Sequence, residues 1–470
     1  MAAAYELELA RRAGALIEYE LYEAAPRLGG VIASSVVDGT VIECGPDSFL
    51  TEKPAALELC RELGLEVDLV PSNDAERKTF ILVRNRMVAL PDGLMFLVPT
   101  KLFATALTPL FSVWTKLRML LEFTRAPVYA HDSDVDESVA EFVRRHYGQQ
   151  SVDRLADPLL SGIYGGDSEQ LSAQAVFPRL VEMETKYGSL TRGMLAGVRA
   201  RKAAAGDGPA PPPKPLFTTL RFGLQQLVDA LDSRLDRNRL HFHAPVSSVE
   251  QTAGAWAVHV GGAVQLFDAV VIATPAWAAA DLLKTTDAEL SAALGEIPYS
   301  SSVTINLVYD GADLDPLPEG FGFLVPAVER RAMLACTFLH RKFPGRTAFG
   351  KSVLRAFLGG TRGAELLEQP DEVLGNLARR ELLEILQISA VPELVKVQRW
   401  PRAMAQYAVG HKARQARIQQ RLKTLPGLHL AGNAYDGIGI SDCIRLGRAS
   451  ARQIVAATLP DAPATAQSRK

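Results

Sequence analysis

Residues 2–14, AAAYELELARRAG, are strong helix formers that close at Gly14, and this helix stands at the very start of the chain. It is followed by ALIEYELYEAA, an apolar alternation ending at Glu23, and then by a turn through Arg27, Leu28, Gly29 and Gly30. Helix, strand, acidic residue and glycine turn, in that order, make the second half of a dinucleotide-binding βαβ unit, where the acid at the strand end hydrogen-bonds a ribose hydroxyl. Glu23 stands where that acid belongs. The first half is a strand and a G-x-G-x-x-G turn that holds a pyrophosphate against the helix N-terminus. Neither is present here. The first strand of a doubly wound sheet lies centrally, and its loss strands backbone groups on both neighbours, at a cost that marginal stability does not tolerate. The natural polypeptide is therefore expected to begin upstream of Met1, and a native mass matching only these 470 residues would refute that.

Further along, GDGPAPPPKP (206–215) is a stiff connector that divides the chain. After it, LHFHAPVSSVE, WAVHVGG and AVQLFDAVVIATPAWAAADLL read as short strands closed by a strand-to-helix turn at Thr274 and Pro275. Residues 303–358 contain β-rich runs punctuated by glycine and proline, consistent with a second sheet, and 371–388 has a helical pattern. Near the end, LHLAGNAYDGIGISDCIRLGRASARQIVAA reads as buried strand, glycine-rich turn and helix. Gly432, Gly437 and Gly439 would allow a flat ligand close to the backbone.

Charge excludes one class of partner. Lys plus Arg (51) nearly balance Asp plus Glu (53), a net charge of -2, so nothing favours wrapping nucleic acid. Four scattered cysteines, with no C-x-x-C pair, read as reduced thiols of a cytoplasmic protein and not as metal ligands. The most lipid-like stretch, 94–123, is interrupted by Pro99, Lys101, Pro109, Lys116 and Arg118, and so makes no simple spanning helix. A membrane-surface segment or a tunnel wall suits it, but the preferred reading is two amphipathic helices with their apolar faces packed on the core.

Several runs carry a resemblance when taken in order: E-x-x-x-R-L-G-G, ECGPDSF, ESVAEFVRRHYG, PLLSGIYGGD, TLRFGLQQLVDAL, RKFPGR, RWPRAMAQYAVGH and GNAYDGIGISDC. Together they resemble the oxygen-dependent protoporphyrinogen and coproporphyrinogen III oxidase family, FAD enzymes of the amine-oxidase-like superfamily. The resemblance implies an α/β fold. It comprises a discontinuous Rossmann-like FAD-binding domain lacking its first strand (1–75, 217–285, 396–460) and a mixed-sheet substrate-binding domain (76–92, 286–395). A helical membrane or tunnel subdomain (93–205), a linker (206–216) and a tail (461–470) complete it. It also implies that FAD oxidises a porphyrinogen to the porphyrin in heme biosynthesis over three rounds, with O2 as acceptor and H2O2 as product. No catalytic side chain is implied, because the cofactor accepts the electrons.

By the same resemblance, Glu23 and Ala24 would meet the adenosine ribose, Val31 would line the cofactor, and Gly45, Pro46, Asp47 and Ser48 would form a turn beside the isoalloxazine. Val246 would present its backbone to adenine and Trp400 would pack near the flavin. Ile438, Gly439 and Ile440 would place amides at its pyrimidine end, where a helix N-terminus stabilises developing negative charge. For the substrate, Gly162 would keep a flat wall, Leu324 and Phe343 would sandwich the pyrroles, and Lys78, or Arg77 beside it, would meet a propionate. The last two replace an arginine pattern of eukaryotic members; Asp47 stands where those carry arginine in the turn. Expected partners are the porphyrinogen and O2, with a ferrochelatase-type recipient of product from the pathway. A peripheral contact with the inner face of the cell membrane and the choice of monomer or homodimer stay open. Two alternatives stand beside this reading: an amine or carotenoid oxidoreductase on the same fold, told apart by its substrates, and a flavin-free porphyrin carrier, told apart by lack of colour.

Overall fold

In a computed structural model, which describes all residues except 92, 96, 127–135, 206–213, 315–316 and 459–470, the β-rich runs build one seven-stranded mixed sheet. Most of the expected linker and all of the expected tail lie outside the described residues. In spatial order the strands are Leu394–Ala405, Tyr299–Asp310, Lys351–Gly359, Met333–Phe338, Gly322–Leu324, Thr79–Val83 and Arg86–Ala89. All pair antiparallel except Gly322–Leu324 with Thr79–Val83, which run parallel with Gly322 opposite Thr79. Period-two alternation gives the sheet two faces. Leu354, Ala356 and Leu358 enter a core with Leu374, Ala378, Leu382 and Ile385, the inward stripe of the helix Asp371–Leu386. Arg355 and Phe357, on the alternate positions, line a large cavity.

Across that cavity lies the dinucleotide-type part, with a split sheet. Leu21–Tyr22 pairs parallel with Leu240–His241, and Val270–Ile272 pairs parallel with Leu428–Leu430, but the two pairs do not join. The opening helix Ala2–Arg12 packs on the final helix Ile440–Thr458, where Gly447 permits close approach: an added Cβ would lie 3.3 Å from the Ala3 nitrogen. Glu6 ties the two together by accepting from Arg448 and Arg452 at 2.6 Å each. The antiparallel meander Val246–Thr252, Ala255–Val260 and Ala263–Phe267 leads from one strand pair to the other.

Two expected boundaries move. Position 396 falls inside the strand Leu394–Ala405, because that strand's ladder with Tyr299–Asp310 is continuous through it. Position 286 separates helices Ala276–Leu282 and Ala288–Gly295, which share one apolar core through Ala279, Leu283, Leu290 and Leu294.

The third part is helical, with Val139–Tyr147, Asp157–Tyr164, Pro178–Tyr187 and Leu190–Ala205 around Phe142, Tyr147, Leu155 and Leu160. The 94–123 stretch does fold into two helices, Leu102–Leu107 and Val113–Glu122, yet the expectation of inward apolar faces holds only for part of them. Leu110, Phe111 and Met119 are buried, whereas Phe103 (78% exposed), Leu107, Val113, Trp114 (80%), Leu120 and Leu121 face outward. Apolar residues surround the second helix on more sides than one core contact can cover. No helix among the described residues is long and apolar enough to cross a membrane.

Candidate active site

The cavity has a volume of about 2290 Å³ and is mostly apolar. This exceeds a typical small-molecule pocket of roughly 300–1,000 Å³, because it runs from the space between the two strand pairs to the face of the seven-stranded sheet. Of the residues anticipated from sequence, Glu23, Ala24, Val31, Gly45, Pro46, Asp47, Ser48, Gly162, Val246, Leu324, Trp400, Ile438, Gly439 and Ile440 all line it.

Local backbone rules explain how they meet. Glu23 continues the pairing of its strand by donating its amide to the His241 carbonyl at 2.8 Å, and one carboxylate oxygen accepts from the Ala25 amide at 2.9 Å. At the 45–48 turn only glycine fits position 45, since a Cβ would come within 1.7 Å of the Val31 carbonyl oxygen. The Trp400 indole donates to the Cys44 carbonyl at 2.8 Å, and Thr304 donates to the same oxygen at 2.7 Å, so the large sheet holds this turn from below. At the start of the final helix, Gly437 adopts φ +98° and donates its amide to the Tyr407 hydroxyl at 2.9 Å. Tyr407 in turn donates to the Asn433 carbonyl at 3.0 Å, clamping both ends of the 433–437 turn. Asp442 accepts from the Gly439 amide at 3.2 Å. That leaves the Ile438 and Ile440 amides, and not Gly439, without a protein acceptor among the described residues.

Gly162 and Leu324 do face each other: a Cβ on Gly162 would lie 2.7 Å from Leu324 Cδ2. Two anticipated substrate residues fall elsewhere. Phe343 is 1% exposed, packs with Ile42, Val308, Leu339 and Val353, and does not line the cavity. Lys78 points to solvent and pairs with Glu319 at 3.5 Å; its backbone carbonyl serves the structure by accepting from Phe321 at 2.8 Å. Arg77 lies near Asp74 at 3.9 Å and does not line the cavity either.

The buried cations that reach the wall are Lys342 and Arg355, neither of them expected from sequence. The run RKFPGR contains both the expected Phe343 and the adjacent Lys342. Only the tertiary direction of the chain separates the two. Lys342 Nζ lies 3.0 Å from Asp47 Oδ1 and sits over the rings of Phe217 (4.4 Å) and Phe343 (5.0 Å). Arg355 approaches Asp47 at 3.5 Å and donates to the Gly45 carbonyl. Burial alone would push the Asp47 carboxyl up, but attraction by Lys342 and then Arg355, with hydrogen bonds from Ser48 and Lys342, holds it well below the usual aspartate range. Below this group Glu43 is paired with Arg346, and burial raises the Glu43 carboxyl.

The arrangement suits a flavin dinucleotide on observations of the cavity itself. An acid ends the first strand, the first turn of the opening helix at Ala2–Ala4 lines the cavity, and the amides of Ile438 and Ile440, without a protein acceptor among the described residues, stand at the start of the 19-residue final helix. A fold of split parallel strands with such a cleft defines a dinucleotide-dependent oxidoreductase of the α/β class. The family model for flavin containing amine oxidoreductases matches residues 1–455, and the chain belongs to that family. Its relatives include a coproporphyrinogen III oxidase of Bacillus subtilis (strain 168), 33% identical, with 92% of this chain and 91% of that protein covered. A protoporphyrinogen oxidase of Homo sapiens is 30% identical over 97% of this chain and 96% of its own length. A crystal structure assigned as a protoporphyrinogen oxidase from Exiguobacterium sp. 255-15 superposes with a TM-score of 0.84 at 29% identity, covering 97% and 96% of the two chains. A putrescine oxidase at 16% identity and TM-score 0.68 shares the fold. The cofactor is FAD.

Proposed function

We propose that this chain oxidises coproporphyrinogen III to coproporphyrin III in heme biosynthesis, with FAD as electron acceptor and O2 as the final oxidant, releasing H2O2. The observation that carries this reading is the apolar cavity wall where Leu324 packs against Gly162, with the 45–48 turn and the buried Lys342 and Arg355 lining the same cavity. A flat tetrapyrrole needs an apolar slot with a few polar anchors at its rim. Bound FAD supplies the hydride acceptor. The protein's share is to bind, orient and exclude water: Phe217, Phe323 and Phe357 line the apolar wall, and the Lys342 and Arg355 charges outnumber Asp47 on its edge. Glu23, Ala24 and Val246 hold the adenosine end, Gly45–Ser48, Val31 and Trp400 the ring end, and the amides of Ile438 and Ile440 its pyrimidine edge.

The coproporphyrinogen has a carboxyethyl group on every pyrrole, whereas protoporphyrinogen IX carries vinyl groups on two, so a net cationic rim favours the former. The names of the Bacillus subtilis relative and of the Propionibacterium freudenreichii relative, 32% identical, support the same choice. Porphyrin fluorescence growing faster from coproporphyrinogen III than from protoporphyrinogen IX is the expected result. Equal or reversed rates would remove the choice of substrate, and no fluorescence from either would remove the oxidase reading.

The protein also rests, in this proposal, on an anionic membrane surface through its 102–123 helices. Exposed Phe103, Leu107, Val113, Trp114, Leu120 and Leu121 supply apolar area, and Lys101, Lys116 and Arg118 border it. This surface would keep a poorly soluble porphyrin near its next user, a ferrochelatase-type protein.

A further inference from the structure

Among the described residues, three lysine or arginine side chains line the cavity: Lys342, Arg355 and Arg402. The first two share Asp47. Arg402 shares nothing. Among the described residues its guanidinium has no ion pair and no hydrogen bond; it lies flat over the Trp277 indole, 4.4 Å from the ring centroid. Trp277 returns the contact by donating its indole N–H to the Arg402 carbonyl at 3.3 Å.

The backbone beneath is strained to make this contact. Arg402 has φ +46°, a left-handed conformation rare for a residue with a Cβ. It sits in a bulge: Ser300 pairs with Met404 and Ser302 with Trp400, so Pro401–Ala403 oppose Ser301 alone. The Arg402 amide, released from the ladder, donates to the Ser301 hydroxyl at 2.9 Å. Bulges re-aim side chains near functional sites, and here the result is a cation stacked on an aromatic face with its N–H edges unused.

We propose that Arg402, held on Trp277, is an anion-binding residue of the cavity wall, and that its anion is the diphosphate of the flavin dinucleotide. This rests on the flavin reading of the same cavity. Position separates the diphosphate from a substrate carboxylate. The Ala403 carbonyl next to Arg402 accepts from Asn433 Nδ2 at 3.0 Å, and Trp277 follows Thr274 and Pro275. Arg402 therefore stands outside the carboxyl ends of the parallel strands Val270–Ile272 and Leu428–Leu430, where dinucleotide ligands lie in such sheets. The slot at Leu324 is on a strand four places away in the large sheet, roughly 19 Å at the usual strand spacing. At Gly432 a Cβ would meet only the Thr274 carbonyl, at 3.9 Å, so the wall between the two strand ends is open to a ligand.

The test is the equilibrium affinity of the full chain for FAD, read by flavin fluorescence, in wild type, R402M and R402K, with thermal melting as the folding control. R402M keeps the stem packing without the charge, and R402K keeps the charge without the planar fork. R402M is expected to bind FAD about tenfold more weakly with an unchanged melting temperature, as for loss of a charge-assisted contact, and R402K to recover most of that loss. R402M within about twofold of wild type, or R402K as weak as R402M, would overturn the proposal. Unchanged FAD affinity with a raised KM for the porphyrinogen would assign Arg402 to a substrate carboxylate and likewise overturn it. Wild type failing to take up FAD would instead sink the flavin reading itself, a distinct result from a wild type that binds FAD as well as its variants do.

Discussion

At the scale of single residues, Asp47 decides the electrostatics of the turn. It stands between two buried cations, so Asp47→Asn leaves Lys342 and Arg355 without their anion and is expected to cost about 3 kcal/mol, read from denaturant midpoints at neutral pH. The pH dependence has a fixed sign. Because the folded carboxyl titrates below the ordinary value of 3.8, its stabilisation is present above that pH and fades as the pH falls further, a component that the asparagine variant lacks. Phe343 and Gly162 give opposite expectations. Phe343→Ala opens a hole among Ile42, Val308 and Val353 and should cost about 3–5 kcal/mol of stability. The protein that still folds should keep its KM for porphyrinogen; a selective rise in KM would return Phe343 to the pocket. Gly162→Ala drives Leu324 Cδ2 into the slot, because the new Cβ would be 2.7 Å from it, and should raise KM while leaving FAD affinity unchanged.

Among the elements, the helical part depends on one buried acid. Glu122 ends the Val113–Glu122 helix, yet it accepts from the Leu190 amide (2.6 Å), the Ser189 hydroxyl (2.9 Å) and His146 Nδ1 (3.2 Å). It thereby caps the start of Leu190–Ala205 from a distant place in the sequence. His146 continues to Glu184 at 2.9 Å, whose carboxyl burial would raise but His146 and Arg145 draw down to about 2. Glu122→Ala removes the cap and leaves His146 half-satisfied in the core. A loss of about 3 kcal/mol is expected in thermal or chemical unfolding, and a variant as stable as wild type would show that solvent replaces the carboxylate. The structure has a capping box at Ser138, whose side chain and that of Glu141 each accept from the other's backbone amide within one turn. The sequence could not mark Glu122, whose partners at Ser189, Leu190 and Thr191 lie 67–69 residues away.

For the whole molecule, the unequal distribution of apolar surface matters most. The near-neutral chain, net -2, exposes its large apolar side chains densely along 103–123. Vesicles containing anionic lipid are expected to sediment the protein, less strongly at high salt, and a Trp114→Glu, Leu121→Glu double variant should stay in the supernatant with its porphyrinogen oxidation intact in detergent. Wild type that ignores such vesicles would leave this face to a protein partner.

The sequence by itself determined the class of the molecule. The strand ending in Glu23, the glycines at 45 and 437 and the helices at 2–12 and 440–458 are local features, each set by propensity, period or a position that tolerates no Cβ. The cavity-lining residues at the dinucleotide end were legible through the resemblance of the ordered runs to a family, with Glu23 also marked by its place at a strand end. Only tertiary structure decided which cations reach the cavity. Lys342 and Phe343 are neighbours in sequence, yet only Lys342 reaches the cavity while Phe343 packs beneath it, and Arg355 looks like any strand residue until the alternation of Lys351–Gly359 turns it toward Asp47, 308 positions earlier. The same holds for the outward faces of the 102–123 helices. A period marks which residues share a face, but which face is buried depends on how much core the rest of the fold can offer it.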